Sequence, residues 1–166
     1  MLISGVFFMK QISILLLKIV VWIIGLTVFS LCVFWLPLQA NYTAEMFPEF
    51  SQMKYPVLIG IYITAVPFFL ALYQAYKLLK YIDKNEAFSE FSVATLIYIK
   101  YCAITISSLY VVGMIVLSFV NAVNPGIVLL GIMITFISIV IALFAAVLQK
   151  LVVKAMDIKL ENELTV

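Results

Sequence analysis

Three residues could do chemistry because they interrupt long apolar segments. Lys100 places an ammonium group about seven residues inside one such segment, where an ionisable side chain is functional unless it reaches the surface. Pro67 lies in the middle of another segment and removes a backbone hydrogen bond, which predicts a kink that is either a hinge or a fixed bend. Gln74 follows two helical turns later. Lys100, Pro67 and Gln74 are therefore candidate functional residues within the apolar segments.

A structural role for Lys100 is the alternative. Its long stem can carry the ammonium group to the segment's end, or the group can pair with a carboxylate there. The acidic residues within reach are Asp83, Glu86 and Glu90. Either arrangement makes Lys100 an anchor instead of a functional site.

Conventional catalytic and metal-binding residues are scarce. There is no histidine, so the usual near-neutral acid–base group and the commonest zinc-binding nitrogen are missing. Glu45 and Glu49 are four residues apart, but two solvated acids are the simpler interpretation. Cys32 and Cys102 lie in different apolar segments near opposite faces, which predicts packing residues and no disulfide. We expect no enzyme activity, no cofactor and no metal site.

The composition defines the class of protein. The 166 residues are 66% hydrophobic and 11% charged, with a mean hydropathy of +1.24. Soluble domains are about 45–50% apolar and about 25% charged, so a soluble domain is excluded. A net charge of +2 with no basic stripe argues against direct nucleic-acid binding. The sequence predicts one integral membrane domain over residues 1–166.

Four apolar segments are long enough to cross a bilayer, since a spanning helix needs about 20 residues. The breaks between them carry stop signals, with Pro37 after the first segment, Pro56 before the second and Asn124-Pro125-Gly126 before the fourth. The predicted spans are about 12–36, 56–79, 93–120 and 127–148. We expect an all-α, integral membrane four-helix antiparallel bundle.

The lysines predict how the bundle is oriented, because cytoplasmic flanks carry an excess of basic residues. Nine lysines fall on the side of both termini and the middle loop: Lys10, Lys18, Lys77, Lys80, Lys84, Lys100, Lys150, Lys154 and Lys159. Lys54 falls on the other side. Both termini should therefore face the cytoplasm, with the fourth helix extending there.

Small and weakly polar residues recur at a seam period in two segments. The stripes are Gly60, Thr64, Pro67, Ala71 and Gln74, and Gly131, Thr135, Ser138, Ala142, Ala145 and Gln149. Because small residues let membrane helices approach closely, both stripes should face into the bundle. A ligand groove lined by Thr64, Gln74, Thr135 and Ser138 is the alternative.

The predicted cytoplasmic face offers a docking surface. Ser89 is a good N-cap for the third helix, so the middle loop should be ordered. The tail, 149–166, is predicted to be an amphipathic helix that packs on the loop or binds a partner in preference to lipid. The candidate partner-binding residues are Asp83, Lys84, Asn85, Glu86, Phe88, Lys154 and Ile158. Ordinary helix termination and restart is the simpler alternative for the loop.

Several longer motifs resemble the YoaS-like family of small bacterial membrane proteins, a domain of unknown function. They are FWLP (34–37), YPVLIG (55–60), YIDKNEAFS (81–89), IKYCAI (99–104), AAVLQK (145–150) and DIKLENELTV (157–166). The resemblance implies a four-span protein of the bacterial plasma membrane, often encoded beside a very small helix-turn-helix regulator. It implies no catalytic residues.

Three functions are compatible with these features. The first is a membrane-embedded regulator or sensor that holds a small cytoplasmic DNA-binding protein through its loop and tail. The second is a small homo-oligomeric transporter or channel that uses the intramembrane polar residues. The third is an envelope-protection or immunity protein, which nothing in the sequence separates from the first.

Overall fold

The computed structural model describes residues 2–123 and 125–165, and the part it describes is helical and without strands. The elements are α1 (Leu2–Ser30), a π-turn (Leu31–Trp35), α2 (Leu36–Met46), a 3-10 helix (Pro48–Met53), α3 (Lys54–Asp83), α4 (Glu90–Phe119) and α5 (Pro125–Thr165). Four helical stretches are long and apolar enough to cross a membrane: Leu2–Met46, Pro48–Asp83, Glu90–Phe119 and Pro125–Thr165.

The long helices pack in chain order. The helix α1 packs on α3, α3 on α4 and α4 on α5, whereas α1 makes no extensive contact with α4 or α5 in the described ranges. Burial is sparse in α1 and α3, where Ile14 and Thr64 are the only described residues that are buried, and greater in α4 and α5. The best-packed part of the molecule is therefore the α4–α5 pair.

The seam between α4 and α5 is lined by small residues. Gly131, Ser138, Ala142 and Ala145 are the buried residues of α5, as the stripe in the sequence predicts. Close approach explains the glycine, because a Cβ atom at Gly131 would overlap Sδ of Met114 on α4. In lipid, such close packing replaces the hydrophobic drive that holds soluble helices together.

The stripe on α3 is only partly covered. Thr64 is buried, but Gly60 is exposed, and no described atom beyond its own turn of helix lies within 4 Å of where its Cβ would be. The prediction that Gly60 faces into the bundle is therefore wrong. The reason is that α3 packs between α1 and α4, and neither helix reaches this position.

Pro37 does not end the first helix, contrary to the prediction. The backbone passes through a π-turn, in which the amide of Leu36 donates to the carbonyl of Leu31, and continues as α2 with Pro37 in its first turn. The wider turn relieves the clash that proline makes with the preceding turn of an ordinary α-helix.

Two asparagines end long helices in the left-handed conformation. Asn85 follows α3 at φ 60° and Asn121 follows α4 at φ 54°. Each is followed by an amide that bonds back to the helix, Glu86 to Tyr81 at 2.7 Å and Ala122 to Leu117 at 3.0 Å. The amides of Asn85 and Asn121 also donate, to the carbonyls of Ile82 and Ser118. Two hydrogen bonds at each helix end thus satisfy carbonyls that would otherwise be free.

The predicted turn before the fourth helix differs from the observed one. Pro125 and Gly126 belong to α5, and the chain turns at residues 120–123 instead. Asn124 lies outside the described residues. Proline fits the start of a helix because its φ angle is already set for it.

Candidate functional site

The loop between α3 and α4 is held by its own hydrogen bonds. The hydroxyls of Ser89 and Ser92 both donate to the carbonyl of Glu86, at 2.7 and 3.0 Å. The Ser89 hydroxyl also accepts from the amide of Ser92, which confirms its predicted role as the N-cap of α4. Ser92 is fully buried. The loop is therefore an ordered surface that joins two helix ends.

The first helix covers one side of this loop. Lys18 forms an ion pair with Asp83 at 3.3 Å, and Lys10 donates to the side-chain oxygen of Asn85 at 2.8 Å. The Lys18 side chain is 20% exposed and that of Asp83 is 44% exposed, so the pair contributes only about 0–1 kcal/mol. The side chains of Asp83 and Asn85 are thus bonded to lysines of α1, which leaves fewer of their hydrogen-bonding atoms available to a partner.

Two of the candidate partner-binding residues meet at an open groove. Phe88 of the loop and Ile158 of α5 face it and are 59% and 52% exposed. The other lining residues are Ala155, Lys159, Asn162 and Glu163. The groove is therefore lined by apolar side chains together with one positive and one negative side chain. We call these six residues the loop–tail groove.

The remaining candidates do not line the loop–tail groove. Lys84, Glu86 and Lys154 are exposed, and the amide and carbonyl of Glu86 are used in the loop. Their partner-binding role stays a prediction.

The C-terminal part of α5 is covered on one side. Val152, Ala155 and Met156 are half-buried, whereas Leu151 and Ile158 are exposed. The apolar face predicted from the sequence is therefore divided. One part packs on the chain, and the other leaves apolar side chains uncovered beside the loop–tail groove.

Within the described ranges, Lys100 contacts a neutral side chain and no carboxylate. Its Nζ atom donates to Oε1 of Gln149 at 3.3 Å and lies 5.1 Å from the centre of the Tyr101 ring. The expected partners, Asp83, Glu86 and Glu90, lie elsewhere, and the ion pair that the structure describes joins Lys18 to Asp83. The sequence analysis named Gln149 as the last residue of the small-residue stripe of α5. It did not predict that Gln149 contacts Lys100.

The other two intramembrane candidates have different surroundings. Pro67 is half-buried within α3, which continues as a helix through it. Gln74 is half-buried and makes no side-chain hydrogen bond with a residue that the structure describes. One turn before Pro67, the Thr64 hydroxyl donates to the carbonyl of Ile61 at 2.7 Å and lies 3.4 Å from the Tyr110 hydroxyl. Thr64 therefore links α3 to α4, and Gln74 does not.

A contact between α3 and the π-turn has no counterpart in the sequence analysis. The Tyr62 hydroxyl donates to the carbonyl of Cys32 at 2.8 Å. A shallow apolar groove lies beside this contact, lined by Phe29, Cys32, Val33, Tyr62, Ala65, Val66, Phe69 and Leu70. No local signal could reveal the pair, because 30 residues separate the two positions.

The described residues offer little to a metal ion. Residues 2–123 and 125–165 contain no group of three or more acidic or cysteine side chains that could hold one. Cys32 and Cys102 are both free thiols. The loop–tail groove and the Lys100–Gln149 pair are two candidate sites that contain predicted site residues.

Comparisons with known proteins agree with the motifs in the sequence. The model of a family described as "Protein of unknown function (DUF2975)" matches residues 38–166. The chain is 53% identical over 160 residues to a protein of Bacillus subtilis (strain 168) described as "Uncharacterized membrane protein YoaS", covering 95% of this chain and 100% of that relative. No solved structure matches at a significant level. The resemblance to the YoaS-like family is confirmed, and the chain is a membrane protein.

Proposed function

This chain belongs to the DUF2975 family, and we propose that it is a membrane-embedded regulator that holds a small cytoplasmic helix-turn-helix protein at its loop–tail groove. The protein acts by binding and not as an enzyme. The observation on which the proposal rests is that Phe88 and Ile158, on separate elements, meet at one groove with both side chains exposed.

The proposed arrangement is an antiparallel set of four spans in the bacterial plasma membrane, with both termini in the cytoplasm. Contacts between the first helical stretch and α3 support it. In successive contacting pairs, the residue number rises on the first stretch and falls on α3, as antiparallel helices require. From one end of α1 and α3 to the other, the pairs are Lys18–Asp83, Trp22–Tyr76, Phe29–Phe69 and Cys32–Tyr62. The nine lysines on the loop side support the orientation.

The depth of the groove argues for a protein partner over lipid. Between Lys100 and Val120, α4 carries no charge over about 30 Å, which matches the hydrocarbon core of a bilayer. Gln149 contacts Lys100 and so lies at the same level. Ile158 is nine residues farther along α5, or about 13 Å, beyond the headgroup layer of roughly 5–8 Å. Exposed apolar side chains in water favour a partner that covers them.

The chemistry of the groove matches a small helical partner. Apolar centres with polar rims are typical of protein interfaces. Phe88 and Ile158 supply apolar surface, and Lys159 and Glu163 supply opposite charges. An amphipathic helix can place its apolar face in such a groove.

Affinity purification of the full chain in mild detergent tests the proposal. The small regulator should co-purify with the native chain, and its recovery should fall at least about tenfold with Ile158→Asp or with residues 150–166 removed. Leu160→Asp is the matched control, because Leu160 is exposed on the same helix but does not line the groove. Equal recovery with all forms, or none with the native chain, contradicts the proposal.

A small homo-oligomeric transporter is the second candidate. The half-buried polar side chains of Lys100, Gln149 and Gln74 favour it, because polar groups within spans often mark a transport path. Transport predicts solute flux in liposomes that Lys100→Met and Gln74→Leu abolish. If both variants retain the flux, Lys100 and Gln74 have a structural role and do not form the transport path.

A further inference from the structure

We propose that Lys100 and Gln149 form a binding site for the phosphate group of an anionic phospholipid. The site is separate from the loop–tail groove and does not depend on the proposed partner. The inference rests on three features of Lys100: an ammonium group without an anion, a depth at the bilayer boundary, and a neighbouring amide that adds donors.

The ammonium group of Lys100 lacks a counter-ion within the described chain. Its hydrogen-bond partner is the neutral Oε1 of Gln149 at 3.3 Å, and Lys100 is half-buried between α4 and α5. The amide oxygen satisfies one of the three N–H donors and leaves the charge uncompensated. A half-buried cation with free donors is stabilised by an anion that reaches it from outside.

The depth of Lys100 identifies where that anion comes from. Two helices have uncharged intervals of similar length that end at this level, since Lys100 contacts Gln149. They are Lys100–Val120 on α4 and Ile127–Gln149 on α5, each about 30–33 Å long. The hydrocarbon core of a bilayer is about 30 Å thick, so Lys100 lies where the lipid phosphates begin.

Gln149 fits a phosphate better than it fits a carboxylate-bearing partner. While Oε1 accepts from Lys100, its amide nitrogen still has two hydrogens to donate. A phosphate offers several acceptor oxygens to the lysine and the amide together. A phosphatidylglycerol phosphate is the better ligand than a phosphatidylcholine phosphate, because the choline cation of the latter competes with Lys100.

Lipid titration of the delipidated full chain in detergent tests the site. Native mass spectrometry should show one saturable phosphatidylglycerol that binds more tightly than phosphatidylcholine. Lys100→Met should weaken this binding about tenfold, and Gln149→Leu should weaken it several-fold. Lys77→Met is the control, since Lys77 ends the uncharged interval of α3 without contacting Gln149 and should keep native affinity. Inorganic phosphate, which lacks acyl chains, should not compete at equal concentration.

Several outcomes overturn the proposal. Equal loss with Lys77→Met means that general attraction to an anionic leaflet explains the binding. Unchanged affinity with Lys100→Met, or no preference over phosphatidylcholine, removes the site. Competition by inorganic phosphate assigns the site to a free anion instead of a lipid. Lys100→Arg keeps the charge and should retain most of the binding, so a loss caused by misfolding of Lys100→Met is distinguishable.

Discussion

The Tyr62 hydroxyl donates to the Cys32 carbonyl at 2.8 Å, within the π-turn that precedes Pro37. In a π-turn each carbonyl accepts from the amide five residues later, and for Cys32 that residue is Pro37, which has no N–H group. The tyrosine therefore supplies the donor that the backbone lacks. A proline on one helix is thus matched by a hydroxyl on another.

Tyr62→Phe should lower the stability of the chain, because it leaves the Cys32 carbonyl unpaired in an apolar environment. The expected loss is about 1–2 kcal/mol, measured as a lower thermal midpoint in detergent. Tyr73→Phe is the control, since the Tyr73 hydroxyl has no hydrogen bond in the described chain. Equal midpoints for the two variants would show that the bond contributes nothing.

Two threonines should respond differently to the same substitution. The Thr135 hydroxyl is buried without a hydrogen-bond partner among residues 2–123 and 125–165, whereas the Thr64 hydroxyl is bonded. Thr135→Val removes an unsatisfied group and should leave the thermal midpoint unchanged or raise it, while Thr64→Val should cost about 1 kcal/mol. A lower midpoint for Thr135→Val than for Thr64→Val would refute this difference.

Gly131 should tolerate no large side chain, because Met114 lies against it. Gly131→Leu should separate α4 from α5 and cost about 1–3 kcal/mol in unfolding experiments. Gly60 is the control, since its surroundings are open. Gly60→Ala should be neutral or stabilising by up to about 1 kcal/mol, because alanine favours a helix. Similar losses at both glycines would argue against the close approach.

Asn85 should be replaceable by glycine but not by alanine. At φ 60° an alanine is strained, whereas glycine adopts this conformation freely. Asn85→Ala should therefore cost about 1 kcal/mol more than Asn85→Gly, and both lose the bond from Lys10. Thermal midpoints of the two variants measure the difference. Equal midpoints would mean that the left-handed cap is unimportant.

The proposed orientation predicts where an impermeant maleimide reacts. In a chain with Cys32 and Cys102 replaced by alanine, Glu49→Cys should label in intact cells. Leu164→Cys should label only after lysis. Glu49 and Leu164 are both exposed, so a difference in labelling reports the side of the membrane on which each residue lies. The reverse pattern would place the loop–tail groove outside the cell and exclude a cytoplasmic partner.

Much of the fold follows from local signals in the sequence. The four apolar segments, the Ser89 cap and the buried stripe at Gly131, Ser138, Ala142 and Ala145 all depend on residues within a few turns of one another. Their physical cause is local as well, since desolvating a backbone demands helices and close packing demands small side chains.

The errors in the sequence predictions have a different origin. Gly60 repeats the stripe pattern but has no neighbour, because the order in which the helices pack decides which face of α3 is covered. Pro37 looks like a stop, yet a hydroxyl on α3 helps the helix to continue through a π-turn. In both cases the deciding atoms belong to another helix.

The sequence by itself determined that the chain is an all-helical membrane protein with four apolar helices, because the cost of burying backbone and charge in lipid acts on each segment separately. Only the tertiary structure decided that Lys100 meets Gln149, that Tyr62 meets Cys32 and that Phe88 shares a groove with Ile158. Those pairs join residues 30 or more positions apart, so they depend on how whole helices pack.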